Sequence, residues 1–248
     1  MNNYQNKIQK INVFFLPFAG GSYYAYRKFE HYLSDFLQIV TLDYPGRGKR
    51  LKDPLLRNLN DLADDVYEQI KDKLNVPYAL YGHSMGAFLA FLVTQKISKK
   101  KLNPPLHLFV TGRQGPTIDS KEKDAYLLPK QEFTQRLMEY GGIPKEILAE
   151  KELFDFFEPI IRADFQAIGT FSYQHDNSAS LNVPITAIIG LNDTTTYEEA
   201  LKWQEVTTEK TIIKQLPGGH FFIFDHTPEI CSIISRTLSM ASVSNNTR

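Results

Sequence analysis

Cysteine is all but absent. Cys231 stands alone among 248 residues, so no disulfide can form within them. Its neighbours Ile230, Ile233 and Ile234 follow helical spacing, which marks it as a small buried hydrophobe more than a reactive thiol. No apolar run reaches the length of a membrane span. The first residues, Met1 to Lys7, are polar and lack the apolar core of a signal peptide. The expected location is therefore the cytoplasm, where the two Asn-x-Thr triplets, at Asn192 and Asn245, have no meaning as glycosylation acceptors. Excess charge is missing too: 28 Lys and Arg balance 28 Asp and Glu. That argues against a general nucleic-acid binder, which needs a basic surplus to meet phosphates, and leaves room only for a local patch. No lysine follows Gly20-Gly21 at phosphate-loop spacing, no internal repeat is visible, and no cofactor motif is found.

What is present suits one large α/β domain. Six short, nearly continuous apolar runs read as strands buried on both faces, at 11–16, 38–43, 78–81, 106–111, 185–190 and 211–216. Helical patterns at 24–33, 59–74, 198–206 and 228–238 alternate with them, with Asn58 or Asn60 as the cap of the second. Alternating strands and helices imply a mostly parallel, doubly wound sheet. The rhythm breaks between about 115 and 181, where helical patterns at 131–140, 144–150 and 153–171 follow one another without a strand. This stretch is expected to be a mobile helical lid over the strand ends, its apolar faces lining a pocket. Lys96, Lys99, Lys100 and Lys101 fall where a helix should end, a favourable place for cations on the helix dipole. Residues 240–248 are small and polar and are expected to form an unstructured tail.

Gly82-His83-Ser84-Met85-Gly86 carries the chemistry. An apolar run precedes it and an apolar helical pattern follows, the strand–turn–helix setting of a nucleophile elbow. Serine needs a base, and the base an orienting acid; in this setting they follow the serine in the order acid, then histidine. Of six histidines, His31, His83 and His107 fail on order, His175 lies in the insertion, and His226 is placed to begin a helix with Thr227. His220, after Pro217-Gly218-Gly219 at the end of the last strand, is the candidate base. Asp193, in the loop after the fifth strand, is the candidate acid; it competes with a role as helix cap, and Asp164 and Asp176 compete with it without following a strand. Acyl transfer also needs oxyanion donors. One is the backbone N–H of Met85, and the second should come from the loop Pro17-Phe18-Ala19-Gly20-Gly21.

Taken together, Leu16 to Gly21, Tyr44-Pro45-Gly46-Arg47-Gly48, Gly82 to Ala87, Arg162-Ala163-Asp164-Phe165, Gly190-x-x-Asp193, Trp203 and Pro217 to Phe222 resemble the type II thioesterases, the stand-alone editing enzymes of nonribosomal peptide and polyketide assembly lines. Leu128-Pro129 and Glu139 to Pro144 match the same pattern, and the resemblance runs from about 11 to 238. It implies an α/β-hydrolase fold, a Ser84-Asp193-His220 triad and Ala19 as the second oxyanion donor. It also implies acyl or aminoacyl thioesters on the phosphopantetheine arm of a carrier protein as substrates. Leu42-Asp43 departs from the pattern, with no essential effect expected.

The residues alone reach only as far as a serine hydrolase. A medium-chain fatty acyl thioesterase and a small-ester hydrolase share its features, and a non-catalytic acyl- or carrier-binding module is the reading from outside the enzymes. The expected partner is a carrier protein held transiently by a monomer, with Arg27, Lys28, Lys49 and Arg50 offered as a basic docking face.

Overall fold

The computed structural model describes residues 10–142, 150–174 and 180–245. Six strands form one sheet: β1 Ile11–Leu16, β2 Leu37–Thr41, β3 Tyr78–His83, β4 Leu108–Thr111, β5 Ile185–Gly190 and β6 Thr211–Leu216. Their order is β2-β1-β3-β4-β5-β6, and every neighbouring pair is parallel. The chain reverses its winding between β1 and β3, so a crevice opens above their carboxyl ends.

The strands are apolar on both faces because both are covered. Phe14, Leu16 and Leu80 pack beneath α1 (Leu59–Ile70) and α2 (Met85–Lys99). Val13, Phe15, Ala79 and Tyr81 face Tyr26, Phe29 and the C-terminal helix α6, Thr227–Asn245. Cys231 is buried on that side, and burial pushes its thiol up to about 12. Asn58 caps α1, its side chain accepting from the Asn60 N–H at 2.8 Å.

Four expectations shift. The 24–33 pattern forms a 3-10 helix, Tyr23–His31, not an α-helix. Its buried residues Tyr26 and Phe29 are three apart, the spacing that stacks side chains in a three-per-turn helix. β2 stops at Thr41, because the Asp43 carboxylate leaves the ladder to accept the Tyr23 and Lys49 N–H groups, both at 2.9 Å. Asp43 therefore holds a turn together where no role was foreseen. The 198–206 pattern splits into a short α5, Tyr197–Leu201, and a 3-10 turn, Lys202–Val206. The C-terminal helix, finally, runs on to Asn245 where a tail was expected from 240.

The insertion carries α3 (Lys130–Tyr140) and α4 (Lys151–Gly169) and has its own small core of Phe133, Leu137, Phe154, Ile161 and Phe165. Arg162 braces it by stacking on Phe133, 4.2 Å from the ring centre, while donating to the Tyr126 and Leu128 carbonyls. The helix expected at 144–150 lies outside the described residues but for its last position.

Below the sheet's working edge, His107 is buried, and its Nε2 is 2.8 Å from the Thr186 hydroxyl. Burial holds its imidazole down to about 4. In the unfolded chain the same ring takes up a proton near pH 6.5. The unfolded state thus binds more protons below that value, and folding stability falls as the pH drops from about 6.5 toward 4. Urea titrations of His107→Gln should show a slope shallower than wild type by up to about 1.4 kcal/mol per pH unit over that window. Parallel slopes would mean that His107 accepts its proton without unfolding.

Candidate active site

β3 ends in a tight turn into α2. Ser84 sits at φ 54° and ψ −115°, a conformation that a side-chain-bearing residue adopts only under constraint. Two glycines make the turn possible. A Cβ on Gly82 would run into the Gly86 carbonyl, and a Cβ on Gly86 would run into the Leu16 carbonyl at the end of β1. The Ser84 N–H donates to Thr111 O at 2.8 Å, which ties the elbow to β4. As the first residue of α2, Met85 has a backbone N–H outside the helical ladder.

The histidine and the acid come from adjacent loops. The Leu191 N–H donates to Leu216 O at 2.8 Å and the Asn192 N–H to Gly218 O at 2.9 Å, locking the turns after β5 and β6 together. His220 Nδ1 then lies 3.0 Å and 3.1 Å from the two Asp193 oxygens. The Asp193 side chain is fully buried and that of His220 is 9% exposed. Burial alone would raise the Asp193 carboxyl. The His220 ring and the Thr194 N–H outweigh it and hold the group below the usual carboxylate range. An ionised carboxylate only accepts, so Nδ1 carries the proton and Nε2 presents its lone pair. Asp193 is not a helix cap: Thr196 fills that place, in a capping box with Glu199.

Ser84, His220 and Ala19 line one cavity of about 50 Å³. Among the described residues the Ser84 hydroxyl makes no hydrogen bond, a looseness common before substrate arrives. Leu137, Ile161 and Phe165 of the insertion form the apolar roof. One wall is polar and was not foreseen. Tyr140 donates to Glu122 at 2.5 Å, and Arg113 lies over the Phe88 ring, 4.3 Å from its centre, its guanidinium brought down to about 10 by burial. Arg113 and Glu122 are scattered along the loop before the insertion and the insertion itself, where no local pattern marks them; Tyr140 belongs to the Glu139 to Pro144 stretch, but its place in this wall shows only in the fold.

The other candidates separate cleanly. His83 is buried under His220, with ring centres 5.0 Å apart and its Nδ1 3.0 Å from the Thr111 hydroxyl. Burial and then the neighbouring His220 push it well below its ordinary value, so it stays neutral. His31 is exposed on the 3-10 helix, His107 is below the sheet, and His226 lies 3.8 Å from Glu229; none lines the cavity. His175 and Asp176 lie outside the described residues. Asp164 is buried but engaged elsewhere, with Arg47 and the Gly20 N–H. Of the suggested basic face, Arg50 is fastened to Asp53 and Asp65, while Arg27, Lys28 and Lys49 are exposed, Lys49 lying over the Tyr23 ring.

The two elbow glycines give a direct test. Gly86→Ala should cost on the order of 3 kcal/mol, since the new Cβ meets backbone and not a flexible side chain. For a chain of this size that lowers Tm by roughly 6–12 °C. A Tm within 2 °C or so of wild type would show that α2 and β1 can part freely.

Comparison with known proteins places this geometry. The model of the thioesterase domain matches residues 11–238. The gramicidin S biosynthesis protein GrsT of Aneurinibacillus migulanus is 34% identical over 236 residues, covering 95% of this chain and 91% of that protein. The medium-chain S-acyl fatty acid synthase thioesterase of Homo sapiens is 32% identical over 253 residues, covering 98% and 92%. The crystal structure of ClbQ from the colibactin NRPS/PKS pathway superimposes with a TM-score of 0.89 at 31% identity, covering 95% of this chain and 99% of that one. No helix among the described residues is long and apolar enough to cross a membrane. Sequence and fold agree that the chain belongs to the thioesterase domain family, with its α/β-hydrolase sheet, elbow and helical insertion.

Proposed function

We propose that this thioesterase removes acyl or aminoacyl groups from the phosphopantetheine arm of a carrier protein, through an acyl-enzyme on Ser84. The observation that carries the reading is the shared cavity: Ser84 on its strained elbow, His220 oriented by Asp193, and an apolar roof from the insertion. His220 Nε2 takes the Ser84 proton as Oγ attacks the thioester carbonyl. The Met85 and Ala19 N–H groups hold the oxyanion. The C–S bond then breaks, and His220 returns the proton to the leaving thiol. Water attacks the acyl-enzyme with His220 again as base, the acyl–Oγ bond breaks as His220 passes that proton to Ser84 Oγ, and the free acid departs. Asp193 stays ionised throughout and stabilises the imidazolium. The thiol cofactor is part of the substrate, so the protein holds none of its own.

The cavity of about 50 Å³ around Ser84 shares Phe18, Ala19, Gly142 and Ile161 with a second hollow of about 350 Å³. The acyl group is proposed to lie in this apolar space, with lid motion admitting longer chains. A monomer meeting its carrier briefly, with Arg27 and Lys28 toward it, completes the picture.

Ser84→Ala and His220→Ala should each lower turnover by several orders of magnitude, and the double variant should lose little more, because the members act as a unit. Asp193→Asn should keep the fold and lose about 10⁴-fold in kcat, the size of the effect in a serine protease triad. An unchanged rate would assign the acid elsewhere. Carrier recognition is tested separately, by loading a carrier with a short acyl group and following its release by mass spectrometry. Release well above that from the matching coenzyme A thioester is expected, and equal rates would leave a generic thioesterase.

A further inference from the structure

Asp164 has no exposed surface and lies on α4 of the insertion, far in sequence from both residues it binds. Its Oδ2 accepts the Gly20 N–H at 2.7 Å and Arg47 Nη1 at 2.5 Å, and its Oδ1 accepts Arg47 Nη2 at 2.7 Å. Arg47 is 3% exposed, and Asp164 outweighs the burial that would lower its basicity and raises it. A buried ion pair is poor evidence of a stability role, since an apolar pair of similar volume is often as stable or more so. The third bond, to Gly20, needs another explanation.

It lies in the loop after β1. Tyr26 OH donates to Leu16 O at 3.0 Å and Tyr44 OH to Pro17 O at 2.9 Å. The Gly21 N–H donates to Phe18 O at 2.8 Å. A peptide is planar and trans, so fixing the Phe18 carbonyl aims the Ala19 N–H the opposite way. Asp164 fixes the next plane through the Gly20 N–H. Both peptide planes that flank Ala19 are therefore held, and among the described residues no acceptor meets its own N–H. Ala19 lines the cavity beside Ser84.

We infer that Asp164, locked by Arg47, is a positioning residue that sets the Ala19 N–H as an oxyanion donor and couples the seating of the lid helix to the reactive centre. This rests on the acyl-enzyme reading above, but not on the identity of the acyl carrier. The carboxylate touches no substrate. It acts by removing the freedom of one loop, so the cost of losing it falls on the transition state and not on binding.

The test replaces the pair by apolar residues, Asp164→Leu with Arg47→Met, to keep the interior filled and free of an orphan charge. Hydrolysis of p-nitrophenyl acetate is measured beside that of the acyl-carrier, since the ester needs the oxyanion donors but no carrier. Gly20 amide exchange is followed by NMR, and Tm is recorded. The expected result is a Tm close to wild type, faster exchange at Gly20, kcat lower by 10- to 100-fold on both substrates, and KM within about threefold. Removing a whole oxyanion donor costs 10²–10³, which sets the upper bound. If the pair variant does not fold, Asp164→Asn, which keeps an acceptor for Gly20, is compared with Asp164→Ala, and the alanine variant must be the slower in kcat. Wild-type kcat in a folded variant with a freed Gly20 amide overturns the inference, as does a loss confined to KM. A wild type active on the ester but not on the carrier overturns the carrier reading alone. A wild type inactive on both overturns both.

Discussion

Two missing Cβ atoms, at Gly82 and Gly86, are the constraint on which the site depends. They let β3, the start of α2 and the end of β1 approach within backbone contact. That approach forces Ser84 into its strained conformation and places the loop after β1 beside it. The register repeats the arrangement: Leu16 lies opposite Gly82, and Thr111 opposite His83. The proposed nucleophile and the loop proposed to carry an oxyanion donor thus come from neighbouring strands at the point where the sheet reverses its winding.

Around this point three buried ionisable groups, Asp193, Asp164 and His83, are met by a partner or suppressed. Asp193 is kept ionised by His220 and the Thr194 N–H. Asp164 is met on one side by Arg47 and on the other by the backbone of Gly20. His83, directly under His220, is kept neutral, so the ring above can gain and lose a proton without a second cation beneath it. In a low-dielectric pocket this economy matters, because an uncompensated charge there costs several kcal/mol. The insertion shares in it. Its roof is apolar, Arg162 braces it from within, and Asp164 at its inner face ties it to the body of the fold.

Much of this was legible in the chain. Parallel strands buried on both faces must be apolar throughout, so the six runs announced the sheet, with ends set to within two residues by what Asp43 and the neighbouring turns do. The elbow could be read because its glycines, serine and flanking patterns are consecutive. Asp193 and His220 could be read because each follows a strand directly. The 3-10 helix at Tyr23–His31 was misread as α because spacings of three and four overlap over a single buried face.

Local order along the chain thus determines the sheet, the strained elbow at Ser84 and the two residues that follow strands, since neighbours in sequence share one backbone geometry. Folding in three dimensions decided what distant segments do to one another. Arg47, 117 residues away in sequence, and the Gly20 amide meet on the Asp164 carboxylate. Arg113, Glu122 and Tyr140 gather into one wall of a cavity. The Arg50 charge is spent on Asp53 and Asp65 and not left to solvent. A side chain's partner depends on burial and direction, and neither is written in the spacing of residues along a strand or helix; both arise only when the layers close over the sheet.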